Sequence, residues 1–295
     1  MGFTEMDYRQ DARDFLMRCR ARLTPQQAGL PAWEGNRRVP GLRREEAALL
    51  AGISVDYYGR LERGDLSGAS AQVLDALADA LRMDDAERTH LFDLARGISE
   101  GAVGARISQP RAGAQAVRPQ VQWLLDAMTD TPAYVRNASS DILAANALAR
   151  ALYAPLFDMQ HPNMLRFIFL QEDSREFFPD WDDVAQQSVG ALHLASGRPE
   201  VARAVSHLVG ELCTSSVRFA QLWAQHGVRQ HRTGTKRFHH PVVGALTLGY
   251  ESMQLTADPD LVLNSYVAEP GSTDAQTLQL LATWSRPASG TVMVD

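Results

Sequence analysis

The sequence predicts two domains, an all-α domain of five helices followed by an α+β domain with a small antiparallel sheet. Three observations carry this. Residues 7–96 show apolar positions spaced three and four apart, the period of helices that bury one face. Residues 97–118 are rich in Gly, Ala, Ser, Arg and Pro, the composition of a linker. Beyond Trp223 the apolar period changes to two, as in half-buried strands. The expected division is therefore 1–96, a linker at 97–118, and 119–295. A chain of 295 residues is long enough for two cores of this size.

In the first domain, Asp7–Leu23 reads as an amphipathic helix with Phe15, Leu16, Cys19 and Leu23 inside. Thr24–Pro40 is an irregular loop marked by Pro25, Gly29, Pro31, Gly35 and Pro40. Gly41–Gly64, GLRREEAALLAGISVDYYGRLERG, reads as two short helices, Arg43–Ala51 and Val55–Arg63. Gly52 between them suits the left-handed backbone at a helix end, and Ser54 is placed to cap the second helix. Ile53, Tyr58 and Leu61 would face inward, leaving Val55, Asp56, Tyr57 and Arg60 outward. Ser70–Leu81 and Asp84–Arg96 complete the five helices, the second with Asp84, Asp85 and Glu87 at its dipole-favoured N-terminus.

A helix, a glycine turn and a second helix with a polar exposed start form the helix-turn-helix arrangement, whose second helix fits the major groove. The stretch resembles the xenobiotic-response-element (lambda-repressor-like) helix-turn-helix family through Glu46-Ala47, Ala51-Gly52-Ile53-Ser54, Tyr58 and Leu61-Glu62-Arg63-Gly64. The resemblance implies binding to double-stranded DNA. Ser54, Val55, Asp56, Tyr57 and Arg60 would then face bases, with Arg60 the candidate for a guanine contact. Arg37, Arg38, Arg43 and Arg44 make four arginines in eight residues without an acid. They read either as phosphate or minor-groove contacts or as a solvated basic loop.

In the second domain, Pro119–Met128 reads as a helix opened by its proline. Ala133–Arg136 and Asp141–Ala145 read as a hairpin. Asn146–Tyr153, Asn163–Leu170, Asp182–Ala195, Pro199–Cys213 and Ser215–Gln225 read as helices, and Val228–Gly234, Lys236–His239, Gly244–Leu255 and Leu261–Ala268 as strands. Ser272–Trp284 is a final helix. Helices on one face of a small sheet are expected.

The block from Trp223 to Leu255 resembles the MmyB-like ligand-binding domain of bacterial regulators. The matching residues are Trp223, His226, Val228, Gly234, Lys236-Arg237, His240-Pro241, Val243-Gly244, Leu246, Leu248, Tyr250-Glu251 and Leu255. Upstream, Asn146-Ala147 with Ala149, Asn163 and Pro179-Asp180-Trp181 also fit, as does GLPAWEGNRRVPGLRREE in the first domain. LERGDLSGAS departs from the pattern, standing where a shorter, often proline-containing turn is usual. The resemblance implies a PAS-like fold with an apolar pocket for a fatty acid or other lipophilic small molecule. Phe167, Ile168, Phe169, Leu170, Phe177, Phe178, Trp181, Leu222 and Trp223 supply apolar surface that can be pocket or core. Asn146, Arg166, His226 and Tyr250, with Trp223, are the candidates to orient a ligand. Arg166, inside the apolar run LRFIF, suits a carboxylate or a structural ion pair equally.

The net charge of −6 requires any DNA-binding charge to be local. Two distant cysteines, Cys19 and Cys213, suit a reducing compartment, and the polar N-terminus does not read as a signal peptide. No run approaches the roughly 18 apolar residues of a membrane span. The expected setting is cytoplasmic. His226, His231, His239 and His240 match no metal-ligand spacing, and no GxGxxG, P-loop or HExxH occurs. Neither a catalytic nor a metal site is expected, and no cofactor beyond a bound lipophilic molecule. The leading reading is a homodimeric regulator on a near-palindromic operator, with recognition helices roughly 34 Å apart. Two rivals stand beside it: a ligand-free DNA-binding dimer, and a second domain that is an enzyme.

Overall fold

The computed structural model describes residues 5–30, 41–102, 116–225 and 232–285. By contacts these fall into two units. The described residues of Met1–Pro110, Val189–Gly210 and Gln221–Gln230 form the first, and those of Arg111–Ser188, Glu211–Ala220 and His231–Asp295 the second. The units are therefore not contiguous along the chain.

The first unit holds α1 (Glu5–Arg22), α2 (Arg44–Leu50), α3 (Val55–Glu62), α4 (Ala71–Ala80) and α5 (Asp85–Ala102). Their apolar stripes meet in one core that includes Phe15, Leu16, Cys19, Tyr58, Leu61, Leu77 and Leu91. Ser54 and Ser70 cap α3 and α4 by accepting hydrogen bonds from the Tyr57 and Val73 N–H groups, as their positions require. α5 passes the expected end at Arg96 and continues to Ala102. Gly97, read as the first linker residue, is helical because the Tyr8 ring packs on it. A Cβ there would lie 2.8 Å from Tyr8 Cε1. Ile98, fully buried, then extends the apolar stripe.

Residues from the second half of the sequence complete this unit. They come from the end of α11 (Trp181–Ser196), the start of α12 (Ala202–Ser215) and the segment at Gln225. Ala202 joins the core and Leu194 packs against it. Gly197 lies against His90, where a Cβ would be 2.7 Å from Nδ1. Arg18 donates to the Gln225 carbonyl at 2.8 Å, and Arg96 pairs with Glu200 at 3.5 Å.

Asp11 on α1 has its carboxyl pushed up to about 7, first by burial and then by Asp7 and Asp14. In the unfolded chain it titrates near its ordinary value of 3.8. Below that value both states hold the proton and no cost arises. As pH rises towards 7 the unfolded chain ionises first, so stability falls; above 7 the loss is complete. Asp11→Asn is therefore expected to match the parent near pH 4 and to exceed it by on the order of 2 kcal/mol near pH 8. Thermal unfolding at the two pH values checks this, and an equal difference at both would remove the titration as cause.

The second unit opens with α6 (Pro119–Ala127) and contains β1 (Ala133–Arg136), β2 (Ile142–Ala145), α7 (Ala147–Leu152), α8 (Ala154–Phe157), α9 (Met164–Leu170) and α10 (Asp173–Phe177). The first part of α11 and of α13 (Val217–Trp223) follows, then β3 (Thr233–His240), β4 (Gly244–Leu255), β5 (Asp258–Val267) and α14 (Thr273–Ser285). The sheet is antiparallel, in the order β2-β1-β5-β4-β3. Tyr134 pairs with Asn264, Tyr250 with Tyr266, and Lys236 with Leu248.

Helices cover both faces of this sheet, in place of the single face expected. Ala133, Val135, Leu261 and Leu263 pack with Val121 and Leu125 of α6. The alternate residues, Tyr134 and Tyr266 with Phe238 from β3, meet the rings of Tyr153 and Phe178 on the opposite side. β1 and β5 are apolar on both faces, so each needs a cover. β3 runs unbroken from Thr233 to His240, where two strands were expected; the rest of the expected strand Val228–Gly234 falls largely outside the described residues. The short α10 was not foreseen, its single turn being too brief to show a period.

Candidate functional site

The outer surface of α3 is the first candidate. Its N-terminus is set by Gly52, which takes a left-handed φ of 66°, and by the Ser54 hydroxyl, 3.2 Å from the Tyr57 nitrogen. Ser54, Val55, Asp56 and Arg60 are exposed, whereas Tyr57 is half-buried and packs against the core. The Arg60 guanidinium lies over the Tyr57 ring, 4.8 Å from its centroid, with Nε 3.7 Å from Asp65. Asp65 is fixed in turn by the Ser67 hydroxyl at 2.6 Å, which with Arg9 and Arg60 holds its carboxyl below the usual range. Arg60 is thus presented by a stacked ring and a carboxylate rather than swinging freely.

The basic approach is divided. Arg43 is exposed, and its backbone N–H donates to Glu46 at 2.7 Å. Arg44 is half-exposed and gives its Nε to Glu62. Arg20 gives Nε to the other Glu62 oxygen and Nη1 to the Leu42 carbonyl at 2.6 Å. The Tyr58 hydroxyl approaches the same carboxylate at 3.4 Å, and burial pushes its phenol up. Glu62 is 1% exposed, so one buried carboxylate ties α1, α2 and α3 together through two arginines. The sequence reading gave Glu62 no role. Its signal was an acid four residues after inward Tyr58, on the buried face. Arg37 and Arg38 lie outside the described residues.

Most of the described residues expected to orient a ligand are engaged within the protein itself. Asn146 is spent on the scaffold. Its Oδ1 accepts from the Ala133 and Ala149 nitrogens at 3.1 and 2.8 Å, and its Nδ2 donates to the Met128 and Thr131 carbonyls at 2.8 and 2.7 Å. An asparagine amide offers two donor hydrogens and two acceptor lone pairs, and all four are used. Arg166 grips Glu211 through two bonds of 2.7 and 2.8 Å, with Asp141 at 3.6 Å. A protein carboxylate already fills its fork. Trp223 stacks on His193 in the first unit, ring centroids 3.6 Å apart, and its carbonyl meets His193 Nε2 at 2.9 Å. His226 lies outside the described residues. Of the four that are described, Tyr250 alone stands on the inner face of the sheet, nearly buried beside Tyr266.

The apolar candidates Phe167, Phe177 and Phe178 form core, each ring meeting the other two at centroid separations of 4.9–6.0 Å. Tyr153 joins them and donates to the Tyr266 hydroxyl at 2.7 Å, with Tyr134 at 3.5 Å on the far side. Burial raises the pKa of all three phenols. Lys236, the only lysine of the chain, reaches this group from β3. A cleft of about 600 Å³ opens beside α8 and α9, but Asp158, Gln160, His161, Arg166 and Asp173 make its walls polar, unlike the expected apolar pocket.

His239 and His240 point to opposite sides of β3, one exposed and one buried. His240 Nδ1 accepts from the Val242 and Val243 nitrogens and Nε2 donates to the Ala151 carbonyl, which fixes it as a turn-holding residue. Among the described residues no three metal-ligating side chains gather, and no helix is long and apolar enough to cross a membrane.

The family model of the MmyB-like transcription regulator ligand binding domain matches residues 117–281, and a helix-turn-helix domain model matches residues 11–91. No curated protein matches the chain.

Proposed function

From the premise that this chain belongs to the family of MmyB-like transcription regulators, we propose that it binds a near-palindromic operator as a homodimer and responds to a lipophilic small molecule. The architecture itself, a helix-turn-helix domain joined to a ligand-binding domain, is that of a ligand-responsive transcription regulator. The observation that carries the DNA half is the exposed start of α3, capped and braced so that Ser54, Val55, Asp56 and Arg60 stand clear of the core. Arg43 and Arg44, with Arg37 and Arg38 a few residues before them in the sequence, serve phosphates in this reading. DNA as the partner makes the setting cytoplasmic. A ligand alters DNA affinity only by favouring one arrangement of the protein over another. We read the second unit as a sensor and not a catalyst.

The DNA role is tested by Arg60→Ala. Specific binding is expected to weaken by about 1–3 kcal/mol while binding to random DNA holds. Mobility shifts on operator and random duplexes check this, and equal loss on both would remove Arg60 as a base reader. The sensor role is tested by titrating operator binding with and without a lipid extract of the host cell; superimposable curves leave the ligand-free dimer.

A further inference from the structure

The turn after α3 is built so that it reaches back to one side chain of the helix. α3 ends at Glu62 with Arg63 as its C-cap, and Gly64 follows with a left-handed φ of 87°. The Gly64 N–H donates to the Leu61 carbonyl at 2.9 Å, and the Asp65 N–H to the Arg60 carbonyl at 3.3 Å. This paired closure is the Schellman motif, which sets the second residue past the cap beside the third from the helix end. Those two positions often carry an apolar pair; here they are Asp65 and Arg60. The cap therefore brings a carboxylate to the guanidinium, with Asp65 Oδ2 standing 3.7 Å from Arg60 Nε. The other oxygen, Oδ1, accepts from the Ser67 hydroxyl at 2.6 Å and lies 3.8 Å from Arg9. Leu66, 1% exposed in the core, fixes the backbone between Asp65 and Ser67. All of this falls in LERGDLSGAS, where the sequence departs from the helix-turn-helix pattern that it otherwise resembles.

Arg60 is thus held from two directions, by the Tyr57 ring against its guanidinium plane and by Asp65 at its Nε edge. A guanidinium is planar, and its Nη1–Nη2 edge faces away from Nε. That outer edge is a pair of donors that matches O6 and N7 of guanine. An ion pair this loose and this exposed adds little to folding, so its consequence lies in where it points the arginine. A long side chain placed beforehand loses less rotamer freedom on meeting a base than one that must first be ordered. We propose that Asp65, braced by Ser67, is the positioning residue that turns Arg60 towards a guanine, which makes the turn after α3 part of what sets sequence preference. The proposal rests on the reading of α3 as the helix that meets bases.

The test uses the full-length protein and selection from a pool of randomised DNA duplexes. Mobility shifts follow on the selected site, on that site with single base pairs changed, and on random duplex. The parent is expected to select a site with a guanine whose replacement weakens binding, and Arg60→Ala to lose discrimination at that base pair. Asp65→Asn keeps the shape and the Ser67 partner and removes the charge. It is expected to lower discrimination at the same base pair about fivefold and to leave the other positions as they are. Binding to random duplex should not weaken, because the change takes a negative charge from a face that meets a polyanion. Ser67→Ala should lower the discrimination less. In the Arg60→Ala background, Asp65→Asn should change nothing further at that base pair. A melting curve shows that each variant is folded; should Asp65→Asn not fold, Ser67→Ala carries the comparison. A loss spread over every position and over random duplex alike would make Asp65 merely structural and overturn the proposal. Discrimination unchanged in Asp65→Asn also overturns it and leaves Arg60 standing as a base reader. If Arg60→Ala keeps every position, the base contact and its positioning fall together. A parent that selects no site removes the DNA reading itself, and the proposal with it.

Discussion

Glu62→Ala is expected to destabilise the DNA-binding unit by about 3–5 kcal/mol. The carboxylate is 1% exposed and lies between Arg20 and Arg44, whose side chains are 15% and 52% exposed. Removing it leaves the Arg20 guanidinium desolvated beside a void, with only the Leu42 carbonyl as partner, and such an uncompensated charge costs more than the pair itself contributes. Arg44 can turn to water, so Arg44→Ala should cost only about 1 kcal/mol. Glu62→Gln keeps the shape and loses the charge, and should fall between them. Urea unfolding of the three variants checks the order. A Glu62→Ala loss under about 1 kcal/mol would mean that the arginines find water without it. Since the same carboxylate fixes α1 and α2 to α3, operator affinity should fall with stability.

The second large effect is expected at Gly64. Its φ of 87° is left-handed, and a Cβ would stand 1.9 Å from the Arg9 carbonyl oxygen, a backbone atom that cannot move without α1. Gly64→Ala therefore combines left-handed strain of about 1–2 kcal/mol with a backbone collision, for a total of about 3 kcal/mol or more. Gly52 is the control. Its φ of 66° is equally left-handed, but nothing lies within 4 Å of the position of a Cβ. Gly52→Ala should show the strain alone, about 1–2 kcal/mol. Equal losses at the two glycines, by denaturant unfolding, would show that the contact with α1 relaxes at no cost.

The helices of the first unit were legible because their signals are local. Ser54 and Ser70, like Pro119 in the second unit, mark helix starts by chemistry that acts within three residues, and the helices begin beside them. The strands β4 and β5 were legible from the alternation of Leu246, Leu248 and Tyr250 and the run after Leu261. What the sequence hid depends on distant partners. Gly97 reads as a break until Tyr8 is laid across it. Arg166 suits a ligand carboxylate or a structural ion pair alike until Glu211, far along the chain, is seen to fill its fork. Asn146 reads as a candidate to orient a ligand, and only the tertiary fold shows that all its bonds are internal.

The membership of Ala202, Leu194 and Gly197 in the first unit bears on how such a protein can be taken apart. A gene cut after the linker would encode all five helices and yet omit a residue of their core. The fragment would fold with an apolar gap at the Ala202 position and with Arg18 lacking its Gln225 acceptor, so it is a poor stand-in for the intact reader. Recombination that grafts this DNA-binding half onto a foreign sensor faces the same difficulty.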